Sequence, residues 1–161
     1  MSWGQERIRA AHRALALNPS YGPALLNLGN LYEDRGNREG ARLFYEKALS
    51  HDPSSWEALA RLGGLARSPA LGDPLIARLR EAISRTDVTM ADKASLGFAL
   101  GRMLDAAGAY DDAFSTYTRA NHMSRASAPS ESALASWSRC TRATSASARR
   151  CFNHRRSASK C

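Results

Sequence analysis

Cysteine is missing from most of this 161-residue chain. The three cysteines are Cys140, Cys151 and Cys161, all close to the carboxyl terminus. The residues before Cys140 can therefore hold neither a disulfide bond nor a thiolate metal site. No stretch approaches the roughly 18 apolar residues of a membrane-spanning helix, and no segment alternates apolar and polar residues as a half-buried strand does. The sequence predicts neither a membrane span nor a β-sheet.

Catalytic and metal-binding patterns are also missing. The histidines stand far apart, and none belongs to a nucleophile–base motif: His12, His51, His122 and His154. The three cysteines and His154 lack the paired short chelating loops of a structural zinc site. Asp111 and Asp112 open a predicted helix, where negative charge is favourable, so their pairing does not indicate catalysis. We expect no enzyme activity, no bound cofactor and no metal ion.

A regular spacing in the middle of the chain is the strongest positive signal. With Gly22 as position one, small, apolar or turn-forming residues occupy positions 4, 7, 8, 11, 15, 20, 24, 27 and 32: Leu25, Leu28, Gly29, Tyr32, Gly36, Ala41, Tyr45, Ala48 and Pro53. Gly29 and Ala41 are small where two helix backbones must come close. Gly36 suits a tight turn, and Pro53 ends the second helix because proline cannot continue one. The spacing predicts two antiparallel helices.

The same spacing recurs along the chain with less regularity. The copies fall in four segments: 5–19 as a half repeat, 22–53, 56–87 as a degenerate repeat, and 94–125. Gly63 and Gly101 repeat the role of Gly29, whereas Pro69 and Pro74 interrupt the degenerate copy. Apolar residues at three- and four-residue steps predict seven helices: 5–16, 22–35, 38–50, 55–67, 73–85, 91–106 and 110–122.

This pattern resembles the tetratricopeptide repeat, a helical hairpin that stacks on copies of itself. The resemblance implies an all-α, right-handed solenoid of about three repeats over residues 1–123. It also implies a partner-binding groove on the concave face, for an unknown protein or peptide. The residues expected there are Leu26, Asn30, Glu33, Arg67, Phe98, Arg102 and Asp105. An ordinary solvated face is the alternative interpretation.

A narrower resemblance covers roughly residues 55–125. The third copy and its extension read FALGRMLDAAGAYDDAFSTYTRANHMSR, which looks like the last repeat of bacterial tetratricopeptide–sulfotransferase proteins. Those enzymes use 3′-phosphoadenosine 5′-phosphosulfate, which they bind in a glycine-rich turn between a strand and a helix. The sequence has no such turn. The alternative function is therefore a non-catalytic, amino-terminal part of a sulfotransferase-linked protein.

The carboxyl-terminal segment 124–161 differs in composition from the rest. It carries eight of the 23 basic residues but only one of the 15 acidic residues, and it is rich in serine, arginine and alanine. Such a segment buries too little apolar surface to offset the entropy of ordering, so we expect it to be disordered. A nucleic-acid-binding arm is a third, less favoured alternative. An out-of-frame translation would also explain the composition.

Two further expectations concern the ends of the chain and its compartment. The half repeat has no partner helix, and no capping helix follows the third copy, so the stack exposes apolar surface at both ends. Self-association through these ends is therefore expected. No secretory signal is recognisable at the amino terminus, which favours a cytoplasmic location.

Overall fold

The computed structural model describes residues 3–67 and 69–127, and its regular secondary structure there is entirely helical. The helices are α1 (Trp3–Leu17), α2 (Gly22–Asp34), α3 (Arg38–His51), α4 (Trp56–Leu65), α5 (Pro74–Ser84), α6 (Met90–Ala106) and α7 (Tyr110–Ser127). Each of the seven predicted helices has its counterpart, with ends that differ by a few residues. The all-α repeat fold predicted from the sequence is confirmed.

Helix α7 runs past the predicted boundary between the repeats and the basic tail. Residues 124–127 are helical, although the composition of segment 124–161 predicted disorder from residue 124 onward. The last turns are anchored by Ala120, which is 1% exposed, and by the half-buried Met123. Since alanine and arginine are good helix formers, the helix continues for another turn beyond these contacts. The rest of the predicted tail, residues 128–161, lies outside the described residues.

Glycine makes the turn inside each regular hairpin. Gly36 has φ 76° and Gly108 has φ 80°, in the left-handed region where a Cβ is unfavourable. The two residues occupy the same repeat position, between α2 and α3 and between α6 and α7. After the first turn, Asn37 caps α3 by accepting a hydrogen bond from the Gly40 amide at 2.9 Å. The turn glycines and the cap together fix where the second helix begins.

One small-to-large contact recurs in the repeats. The Tyr45 ring packs directly on Gly29, where a Cβ would overlap it, and the Tyr117 ring packs in the same way on Gly101. In the degenerate repeat, Leu79 takes the place of the tyrosine, with its Cδ1 3.1 Å from the Cβ position of Gly63. The repeat glycines thus let the second helix of each hairpin approach the first.

The degenerate repeat is more open than its neighbours. Helix α4 ends at Leu65, two residues before the predicted end at residue 67. The Leu65 carbonyl accepts a hydrogen bond from Arg38 Nη2 at 2.6 Å. Helix α5 starts only at Pro74, after Asp73 caps it through the Leu75 amide at 2.8 Å. Helix α4 packs more extensively on α6 than on α5, its partner in the hairpin. Gly63 makes this possible because it leaves room for Ala99 of α6. Consecutive first helices therefore meet directly at this point.

The core is apolar and continuous across the hairpins. The fully buried large side chains are Tyr45, Leu25, Leu28, Leu59, Leu79, Leu96, Met103 and Leu104. In the part of the chain that the structure describes, no charged residue is buried. No helix there is long and apolar enough to cross a membrane.

Candidate partner groove

A groove of about 450 Å³ runs along the first helices of the three hairpins. The end of α2 forms one wall, α4 forms the floor and α6 forms the other wall. Its lining residues are Glu33, Glu57, Ala60, Arg61, Gly64, Asp92, Ser95, Phe98, Ala99 and Arg102. Three carboxylates and two guanidinium groups therefore surround a small apolar strip, an arrangement suited to binding a polar chain with one apolar anchor.

Phe98 and Arg102 lie one turn apart on the α6 wall of the groove. The half-buried Phe98 ring is supported from behind by Tyr117, with the ring centroids 6.5 Å apart. Arg102 Nη1 lies 3.6 Å from the Cβ position of Gly64, so the missing side chain on α4 lets the guanidinium reach across the groove. No described carboxylate lies within 4.0 Å of Arg102. Its charge is left available to a partner.

A polar cluster at the α2 end of the groove is already paired. The Tyr45 hydroxyl lies 2.7 Å from Asn30 Oδ1 and 2.8 Å from Glu33 Oε2, so its single hydrogen is shared between two acceptors. Arg61 Nη1 lies 3.9 Å from the same Glu33 oxygen. Burial first, and then the hydrogen bond to Glu33, raise the pKa of Tyr45. The cluster positions Glu33 and Asn30.

The raised pKa of Tyr45 predicts a loss of stability at alkaline pH. A tyrosine in the unfolded chain ionises near pH 10, while the folded protein holds the proton more tightly. The stabilisation that comes from the raised pKa of Tyr45 is complete below that pH. It is lost as the pH rises towards the pKa of Tyr45 in the folded protein. We expect the unfolding free energy to fall above about pH 10, and Tyr45→Phe to reduce this fall.

The measurement is urea unfolding, followed by far-ultraviolet circular dichroism, at several pH values. Tyr110→Phe, the same substitution at a tyrosine that is 69% exposed, is the matched control. Equal pH dependence in wild type and Tyr45→Phe would contradict the assignment.

Three of the residues expected in a groove do line this one: Glu33, Phe98 and Arg102. Four others do not line it. Leu26 packs against the apolar core, and Asn30 contacts the Tyr45 hydroxyl. Arg67 borders a separate depression beside Arg38 and Arg42. Asp105 is exposed on α6, where its charge contributes to a raised pKa of Tyr117, after the larger effect of burial.

Three charged lining residues were not among the expected ones. Glu57 lies on α4 one helical turn before Ala60 and two turns before Gly64, which also line the groove, so helical periodicity could have indicated it. Asp92 belongs to a turn of α6 that precedes the third copy, because the helix already begins at Met90. Arg61 enters the groove through its long side chain, which reaches Glu33 on α2. The repeat position of a residue does not predict how far a long side chain extends into a groove.

No described group of three or more histidine, cysteine, aspartate or glutamate side chains could hold a metal ion. The groove is open and its charges are mixed. Its geometry therefore suits recognition of another chain, through hydrogen bonds, ion pairs and one aromatic contact.

Comparison with known proteins identifies the repeat. The family model "Tetratricopeptide repeat" matches residues 22–55, beginning at the residue counted as position one. Among solved structures, the crystal structure of MamA is similar to this chain, with a TM-score of 0.57 and 27% identity. The similarity covers 76% of this chain and 75% of that one. The fold is a tetratricopeptide-like helical repeat. No curated protein matches the sequence.

Proposed function

We propose that this chain is a protein-interaction module that binds an extended segment of a partner protein in the groove between α2, α4 and α6. The observation that carries the proposal is the pairing of Phe98, half-buried in the wall, with Arg102, which has no described carboxylate within ion-pair distance. Repeat solenoids present such concave surfaces to their partners. The tetratricopeptide-like fold supports the same function.

The charges of the groove favour a segment of particular chemistry. Glu33 is partly neutralised by Arg61, whereas Arg102 is not neutralised. An acidic side chain or a terminal carboxylate of the partner would pair with Arg102, and an apolar side chain next to it would cover Phe98. Glu57 and Asp92, which also line the groove, favour a basic residue elsewhere in the segment. The proposed ligand is thus an extended peptide with an apolar–acidic pair.

A peptide selection tests this proposal. Random peptides displayed on phage are selected against the full chain, and the affinity of the best synthetic peptide is measured by fluorescence anisotropy. We expect the selected sequences to be enriched in apolar–acidic pairs. Phe98→Ala and Arg102→Ala should each weaken binding at least about tenfold, as central anchors do. Asn30→Ala should weaken it less, since the Tyr45 hydroxyl already engages Asn30, which is not among the lining residues.

The matched controls lie outside the groove. Arg119→Ala removes an exposed arginine of α7, and Leu43→Ala removes a half-exposed apolar side chain of α3. Both should leave the affinity within about twofold, the range of a peripheral contact. Peptide binding that is indifferent to Phe98→Ala and Arg102→Ala would overturn the groove assignment.

The relation to sulfotransferase-linked repeat proteins stays a prediction, since neither the tetratricopeptide repeat model nor the structure of MamA bears on it. Its consequence is that the chain does not bind 3′-phosphoadenosine 5′-phosphosulfate, which titration calorimetry measures directly. A dissociation constant in the micromolar range would argue for a phosphate-binding site. The nucleic-acid alternative rests on the basic segment 124–161, of which residues 128–161 lie outside the described residues. The cytoplasmic location also remains a prediction.

A further inference from the structure

Helices α3 and α7 are the second helices of two regular hairpins and occupy equivalent repeat positions. The contacts of one helix therefore indicate which face of the other can take part in contacts. On α3, Arg38, Tyr45 and Leu49 form a stripe that α4 covers. Tyr45 is 0% and Leu49 5% exposed, and Arg38 donates its hydrogen bond to the Leu65 carbonyl of α4. This stripe is an interface of the repeat stack.

The same stripe on α7 is open to solvent. The counterparts of the α3 residues are Tyr110, which is 69% exposed, the half-buried Tyr117 and the exposed Asn121. No described helix follows α7 to cover them. The counterpart of Tyr45 is therefore left with one bare side.

Phe114 adds apolar surface that stacking of a further repeat does not require. It is 75% exposed. At the equivalent place α3 carries Arg42, whose ion pair with Glu46 at 2.7 Å lies in solvent beside α4. Tyr110 and Phe114 are one helical turn apart and form a continuous aromatic patch. Contiguous exposed apolar side chains of this kind are candidates for a contact surface.

The charges along this face favour a second copy of the chain. Asp111 lies two turns before Thr118, and Arg125 lies two turns after it. All three are exposed, and neither charge has an ion-pair partner among the described residues. A two-fold axis near Thr118 would place Asp111 of each copy opposite Arg125 of the other. Parallel pairing would instead place like charges together.

We propose that the outer face of α7 pairs antiparallel with α7 of a second copy, and so forms a symmetric dimer. Phe114 of each copy would pack against the Asn121 region of the other, and two Asp111–Arg125 pairs would fix the register. The groove between α2, α4 and α6 lies on other helices and stays free in this dimer.

The dimer should be weak. Helix α7 has 18 residues, which corresponds to a length of about 27 Å. A single pair of such helices buries less surface than a standard stable interface. We therefore expect a dissociation constant of about 10–100 μM for the full chain, in the range of small transient interfaces.

Sedimentation equilibrium of the full chain measures this constant. Phe114→Glu should raise it at least about tenfold, and because Phe114 is exposed, circular dichroism should remain that of wild type. Leu71→Glu replaces another exposed apolar residue, 59% exposed in the loop before α5, and should leave the constant unchanged. A strict monomer, or association indifferent to Phe114→Glu, would overturn the proposal.

Charge reversal tests the register and the symmetry. Asp111→Arg and Arg125→Asp should each be monomeric alone, because each variant places like charges opposite one another. Mixing the two variants should restore a dimer, since both pairs then become Arg with Asp. The double variant should also dimerise like wild type. If mixing restores nothing, the antiparallel arrangement is wrong, even if the chain associates.

Discussion

Leu59→Ala should lower the free energy of unfolding by about 3 kcal/mol, within the range for fully buried leucines. Leu59 is 0% exposed and belongs to a core cluster that extends through the successive hairpins. Truncation removes its buried methyl groups and leaves a cavity, which the close-packed helices around α4 can fill only in part.

The position of α4 increases the consequence of this cavity. Helix α4 contacts α3, α5 and α6, so it connects the first hairpin to the third. In a repeat array each unit is stabilised by its neighbours, and a weakened central unit uncouples the two ends. We therefore expect the unfolding transition of Leu59→Ala to broaden as well as to shift to lower urea.

Urea unfolding monitored by circular dichroism measures both effects. Leu17→Ala is the control, since Leu17 is 90% exposed and exposed substitutions usually stay within about 0.5 kcal/mol. A loss of less than about 1 kcal/mol for Leu59→Ala would mean that α4 is not a central packing element.

The regular hairpins could be predicted almost completely from the sequence, because their constraints are local. A left-handed turn requires glycine, and Gly36 and Gly108 have the positive φ that their repeat position demands. Close helix contact requires a small residue facing a large one, and the Gly29–Tyr45 and Gly101–Tyr117 contacts follow from spacing alone. Such features depend on neighbours at fixed sequence distances.

The degenerate repeat could not be predicted in detail, because its geometry depends on distant contacts. The end of α4 is fixed partly by Arg38, 27 residues earlier in the chain. The close packing of α4 on α6 depends on Gly63 meeting Ala99, which belong to different repeats. No local pattern encodes either contact.

The candidate groove shows the same division. Phe98 and Arg102 line the groove, as their repeat positions predict. Asn30 also has a repeat position that predicts it in the groove, but the Tyr45 hydroxyl engages it instead. Asp92 lines the groove without such a position, because α6 begins a turn earlier than its repeat. Side-chain pairing and helix extension are decided by tertiary structure, which the repeat pattern does not contain.

Gly29→Ala should lower the free energy of unfolding by about 2 kcal/mol, whereas Gly64→Ala should raise it by about 0.5 kcal/mol. Alanine is the better helix former at both places. At Gly29, however, its Cβ would overlap the ring of Tyr45, which is 0% exposed and held by Asn30 and Glu33. At Gly64 the nearest atom is Arg102 Nη1, at an ordinary contact distance of 3.6 Å.

Gly101→Ala tests whether the cost of the overlap depends on how firmly the neighbouring ring is held. Its free energy of unfolding should lie between those of the other two variants. Its Cβ would lie 2.7 Å from Cε1 of Tyr117, but Tyr117 is only half-buried and has no described helix on its outer side. The ring can therefore move away at a smaller cost than Tyr45. Urea unfolding of the three variants at one pH gives the order directly. Equal losses for Gly29→Ala and Gly101→Ala would mean that the bare side of Tyr117 is covered in solution.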